Sequence, residues 1–204
     1  GTYNVAIGGN GAGGAIIGGD GNVAIGGSAL EQNQTGDYCI GIGYNAGQQN
    51  TGADYNIAIG YAANDLTGPG NVGIGRYALS GASTGEYNVG IGYTPLRYSQ
   101  NDGDRNIAIG YIAAVGAGAN MTNAADGTIA IGKSVLAALT TGAKNIAIGF
   151  EAMNDMQTGT NNIALGYQAM DVLQGGDGSG GVAASANGGN HNIAIGTDAM
   201  GAVE

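Results

Sequence analysis

Asn56-Ile57-Ala58-Ile59-Gly60-Tyr61-Ala62-Ala63 decides the fold, because versions of its first five residues recur along the whole chain. The copies are Asn4–Gly8, Gly14–Gly18, Asn22–Gly26, Cys39–Gly43, Asn56–Gly60, Asn71–Gly75, Asn88–Gly92, Asn106–Gly110, Thr128–Gly132, Asn145–Gly149, Asn162–Gly166 and Asn192–Gly196. Their closing glycines recur with a dominant period of about 17 residues. The exceptions are two short intervals at the start, a longer one before Gly132 and the longest before Gly196. A fixed period in this range marks a stack of like units, each contacting only its neighbours. We read the chain as all-β, a parallel β-solenoid or β-roll of about twelve short coils, one per pentad. It forms a single array over residues 1–204. Irregular short coils occupy 1–30, regular repeats at the dominant period fill 31–170, a Gly-rich insertion covers 175–190, and a final coil occupies 191–204.

Alternate residues of a strand point to opposite faces. Val or Ile fills the second pentad position and Ile or Leu the fourth, with few exceptions. These two columns are expected to form the coil core, represented by Ile57, Ile59, Ile107, Ile109, Ile146 and Ile148. The third position holds Ala58, Gly73, Gly90, Ala108, Ala130, Ala147 and Ala164, almost nothing larger. Such a column lies close against other backbone. Either a neighbouring copy supplies that backbone, making this the inter-chain face of a homotrimeric rod, or the opposite wall of the same coil does. The first position is mostly Asn, and Asn56, Asn71, Asn88, Asn106, Asn145 and Asn162 are expected to stack as a ladder at about 4.8 Å spacing. Closing glycines suit a corner with positive φ.

Beyond the pentad, aromatic residues follow the glycine at Tyr44, Tyr61, Tyr93, Tyr111, Phe150 and Tyr167. They read as corner caps or as filling between chains, with a sugar-stacking strip as the alternative. Ala and then Leu or Met come next, as in Ala78-Leu79 and Ala152-Met153, forming a second wall or a short helical turn. A polar return commonly carries Thr-Gly, a turn signal, at Thr67-Gly68 or Thr158-Gly159.

Composition narrows the partners. Gly makes up 44 of 204 residues, with no three-residue period, which excludes collagen. The formal net charge of −10 argues against nucleic acid and against anionic membranes. No apolar run is long enough to span a bilayer as a helix, so no membrane insertion is expected. One Cys, Cys39, excludes an internal disulfide framework.

Strings such as Asn162-Ile163-Ala164-Leu165-Gly166-Tyr167-Gln168-Ala169-Met170 resemble the head repeats of trimeric autotransporter adhesins, and equally the repeats of phage long tail fibres. The resemblance runs over nearly the whole chain. It implies a left-handed parallel β-roll with three rolls packed into a trimer. Those heads have a shorter typical period, so the additional residues here are expected to enlarge an outer loop.

Candidate chemistry is sparse. His191 is the only His, which leaves no evident triad. Asp102 with Asp104, or Asp54 with Asp65, would supply the paired acids of a polysaccharide-degrading tailspike only by coincidence. Gly18–Asn22 and Gly175–Gly181 resemble calcium-binding Gly-rich nonapeptide repeats but lack their Asp at the sixth position and their nine-residue period. Loops such as Asn101-Asp102-Gly103-Asp104 would hold calcium only opportunistically, and no cofactor is expected. The expectation is therefore not an enzyme but a structural or adhesive fibre segment, extracellular, on a virion or a cell surface. Its expected partner is itself, with a host receptor or glycan unidentified. The alternative is a filament subunit that stacks end to end.

Overall fold

The computed structural model describes residues 1–65, 67–81, 84–97, 103–115, 126–171 and 189–200. Within them the regular elements are eleven three-residue strands: β1 (Val5–Ile7), β2 (Val23–Ile25), β3 (Ile40–Ile42), β4 (Ile57–Ile59), β5 (Val72–Ile74), β6 (Val89–Ile91), β7 (Ile107–Ile109), β8 (Ile129–Ile131), β9 (Ile146–Ile148), β10 (Ile163–Leu165) and β11 (Ile193–Ile195). They form one all-parallel sheet in strict chain order. Every pair is in the same register, pentad position against pentad position, as in Ile40↔Ile57 and Ile57↔Val72. The fold is a β-solenoid.

The strands are short because the chain turns at both ends of each pentad. Just before the pentad, Tyr38, Tyr55, Tyr87, Arg105 and Lys144 take φ between 53° and 60°. After it, Thr94 and Leu96, or Glu151 and Met153, return to the left-handed region. Each such non-glycine residue costs on the order of 1–2 kcal/mol. The backbone ladder holds them there, since the bonds continue past the strands. Tyr55 N donates to Asp37 O at 2.9 Å, and Leu79 N to Pro95 O at 3.0 Å. The closing glycine is required by contact as well as by dihedral. Gly60 has φ +127°, and a Cβ there would lie 2.6 Å from Gly75 O in the next coil.

The twelfth expected strand does not form. Val5 pairs directly with Val23, and Ala6 with Ala24. Gly14–Gly18 lies in the return of the first coil, where Gly14 N donates to Gly11 O and Ile16 N to Gly13 O. The two short intervals at the start are thus one coil of ordinary length. This pentad has Gly in place of Asn and Ile16 in the third position, where the other copies have Ala or Gly.

The faces are also the reverse of the expectation. The third-position column is the interior: Ala24, Ala108, Ala130, Ala147 and Ala164 are fully buried, and Ala58 nearly so. It faces the second wall of the same solenoid, where Ala29, Leu30, Ala78, Leu79, Leu136, Met153 and Met170 are equally buried. The contact is tight enough to specify glycine. A Cβ on Gly41 would lie 2.8 Å from Leu30 Cγ, and one on Gly90 2.9 Å from Leu79 Cγ. Ala58, Gly73, Gly90, Ala108, Ala130, Ala147 and Ala164 therefore belong to the coil core and not to an inter-chain face. Ile57, Ile59, Ile107, Ile109 and Ile146 are half-buried on the outside of the sheet, and Ile148 is exposed. The physical reason is width: one Leu or Met from the second wall fills the narrow interior, leaving space for only a methyl group or a hydrogen opposite it.

Candidate functional site: the outer face of the sheet

The Asn column stacks, but its bonds run mainly to backbone. Asn71 N donates to Asn56 Oδ1 at 2.8 Å, Asn88 N to Asn71 Oδ1 at 2.8 Å, and Asn106 N to Asn88 Oδ1 at 2.9 Å. Further along, Asn162 N donates to Asn145 Oδ1 at 3.0 Å. The amide nitrogens donate to the carbonyls of the Thr-Gly turns: Asn56 Nδ2 to Gly68 O, Asn71 Nδ2 to Gly68 O and Gly85 O, Asn145 Nδ2 to Gly159 O. The turn signal and the Asn column are one device. Cys39 occupies that column with its Sγ 3.2 Å from Ala53 O, and burial raises its thiol pKa.

Outside, the second and fourth columns make two adjacent stripes of Val, Ile and Leu across all eleven strands. Aromatic side chains border them. Before the strands, Tyr38 and Tyr55 stack with ring centroids 5.7 Å apart. After the strands, Tyr44 stacks on Tyr61 (5.7 Å), Tyr93 on Tyr111 (5.1 Å) and Phe150 on Tyr167 (5.3 Å). Arg76 bridges a gap in this series, 5.7 Å from the Tyr61 ring and 5.6 Å from the Tyr93 ring, and donates from Nη1 to Tyr93 Oη at 3.0 Å. Lys133 sits 5.1 Å from the Phe150 ring. Rings stacked on one another present edges outward, so a sugar ring has few free aromatic faces to lie on.

Ten strand spacings of about 4.8 Å make this face roughly 48 Å long. Its width between the two aromatic borders is about 15–20 Å at roughly 3.3 Å per residue. The product, a footprint on the order of 700–950 Å², is larger than the roughly 300–600 Å² of the largest apolar patch on a typical monomer. It matches the ~800 Å² that each partner contributes to a standard interface.

An acidic column was not legible as such in the sequence. Asp20, Asp37, Asp54, Glu86, Asp104 and Asp126 each stand two residues before a pentad. Asp54 Oδ1 accepts from Asp37 N, Asp37 Oδ1 from Asp20 N, and Asp104 Oδ1 from Glu86 N, all at 2.8 Å. Thr2 donates to Asp20 from N and Oγ1, which holds that carboxyl below the usual range. Asp54 and Asp65, one of the acid pairs considered, stand on different walls. Asp102 and the whole of Gly175–Gly181 lie outside the described residues, as does most of the 175–190 insertion. His191 contacts Asn161 Nδ2 at 3.3 Å. Among the described residues no group of three or more His, Cys, Asp or Glu is placed to hold a metal ion, and no helix is long and apolar enough to cross a membrane.

Two carboxyls are perturbed on the far wall. Burial pushes Asp65 up to about 7, and its Oδ1 has no hydrogen-bond partner. Burial pushes Asp171 to about 6, helped by the charges of Asp155, Glu151 and Asp198. A carboxyl with a folded pKa above its unfolded value binds more protons folded than unfolded between the two. Stability therefore falls as pH rises from about 4 towards 7. We expect Asp65→Asn to gain about 1–2 kcal/mol on wild type at pH 8 and little at pH 4, allowing for partial solvation. Denaturant midpoints of both chains at the two pH values check this, and an equal difference at both would contradict it.

Compared with protein-family models, with curated proteins and with solved structures, the chain matches none of them.

Proposed function

We propose that the chain is a structural or adhesive fibre segment. In this reading copies associate side by side through the outer Val/Ile face, three around a shared axis being the simplest closed arrangement, into a stiff extracellular rod. The observation that carries it is the size and continuity of that face: two apolar columns in one register along eleven strands, with no described residue covering them. A further copy is the occupant of choice, because it repeats the same strand spacing and so matches the face along its full length. The β-solenoid is compatible with such a shaft, and the repeats resemble those of adhesin heads and tail fibres. A rod of this kind would display loops for attachment on a virion or cell surface and would not be an enzyme.

Sedimentation equilibrium tests the reading. A discrete species of about three times the 19.8 kDa chain is expected. Ile57→Glu together with Ile107→Glu, on half-exposed outer positions, should leave the far-UV spectrum unchanged and shift the species to monomer. A wild type that is monomeric at every concentration overturns the reading. Polymers of unlimited mass favour the end-to-end filament instead.

A further inference from the structure

In a sheet whose strands are all parallel and in chain order, every strand N-terminus lies along one long edge and every C-terminus along the other. The two edges differ in charge, the N-terminal one being net acidic and the C-terminal one balanced, with its cations Arg76 and Lys133 nearest the strands. The N-terminal edge holds the acidic column, Asp20 to Asp126, against the cations Arg105 and Lys144. The residue just after the closing glycine, on the C-terminal edge, is never acidic and is Arg76 or Lys133 at two coils. The acids one residue beyond are Glu151, which accepts from Gln168 Nε2 at 2.9 Å, and Asp198.

Arg76 is exposed and lies on tyrosine rings, with no ion pair to a described residue. Glu86 is the member of the opposite column whose carboxylate has no described partner, although its backbone N, like those of Asp20, Asp37 and Asp104, donates to the next acid, at 2.8 Å to Asp104 Oδ1. The two cannot meet within one chain. Glu86 and the C-terminal edge of its own coil, at Tyr93, are separated by a span of about 20 Å.

We propose that Arg76 of one copy pairs with Glu86 of the next, which fixes the copies parallel and level with one another. The proposal rests on the side-by-side association argued above. Turning two copies about an axis along the rod brings the N-terminal edge of one against the C-terminal edge of the other. Turning them about an axis across the rod brings acid against acid, in a chain of net charge −10. Level copies set Arg76, in the coil of β5, opposite Pro69, the one interruption in the acidic column between Asp20 and Asp126. Asp54 and Glu86 then flank it one strand spacing away on either side. Asp54 already binds Asp37 N, so Glu86 is the available partner.

A charge-reversal cycle on the full chain tests the pairing. At about 20 mM salt, Arg76→Glu and Glu86→Arg are each expected to raise the dissociation constant roughly tenfold. The double variant should return to within about threefold of wild type, and the differences should shrink at about 0.5 M salt. If either single variant loses the wild-type far-UV spectrum, Arg76→Gln and Glu86→Gln take its place, and the double Gln chain should then be no weaker than either Gln single. Singles without effect, or a double as weak as the two losses combined, overturn the pairing. A wild type that assembles and is broken by Ile107→Glu, yet is indifferent to the charge cycle, sinks the pairing alone. A monomeric wild type sinks both the pairing and the association.

Discussion

Ala108→Glu unfolds the chain, whereas Ile107→Glu, one residue away, leaves the coil intact. Ala108 has no exposed surface and packs in the cluster that contains Leu79, Leu96, Ala113 and Ala130. A carboxylate there must be buried without a partner or must force the two walls apart, and either exceeds the roughly 4–5 kcal/mol that marks an exceptional substitution. That is comparable with the whole stability of a small domain. Ile107 stands half-buried on the opposite face. Urea midpoints of the two variants separate the cases. A cooperative Ala108→Glu chain with a midpoint like that of wild type would mean that the Ala/Gly column is not the interior.

Asn71→Ala is expected to cost about 3–5 kcal/mol, because it leaves several buried groups without partners. The side chain is fully buried, donates to Gly68 O at 2.8 Å and Gly85 O at 2.9 Å, and accepts from Asn88 N at 2.8 Å. Its removal orphans buried groups in successive coils, each worth about 1–3 kcal/mol. Asn71→Asp is the more informative partner. It keeps the acceptor for Asn88 N but sets a carboxylate oxygen against two carbonyls. It should be nearly as damaging at pH 7 and clearly less so at pH 4, where the protonated acid donates again. A pH-independent loss would show that the carbonyl contacts carry little of the effect.

The architecture was legible because the pentad survives in every coil. Asn, a small residue and Gly recur at fixed offsets within it, with Thr-Gly four or five residues ahead in most coils, and the parallel pairing follows directly. Which face of the strand is inside was not legible. Alternation separates Ile57 and Ile59 from Ala58 but does not say which side is in. Hydropathy points to the larger residues, and the narrow interior overrides it. Ile57, Ile59, Ile107 and Ile109, only half-buried in the middle of the stack, and Ile148, 39% exposed, show that the outer columns are not the core. The first coil misled because Ala15-Ile16-Ile17-Gly18 imitates a pentad while lacking Asn and a small third residue. The acidic column was hidden for another reason. Its members stand in a variable return, where Pro69, Ala143 and Thr160 interrupt it. The structure marks Asp37 and Asp54 as one column by giving each carboxylate the same backbone bond.

The interval between successive pairing partners doubles from its shortest, Ile57 to Val72, to its longest, Ile163 to Ile193, with Ile107 to Ile129 between them, yet the register never shifts. All of that variation falls in one stretch of the coil, after the Leu/Met wall and before the next acid position. Closing a longer excursion costs only about 0.6 kcal/mol per doubling of its length. Chain length between those two points is thus a free parameter of the repeat. A peptide grafted there would ride on the scaffold as cargo, its copies spaced by whole multiples of the strand separation, without disturbing the coils above or below.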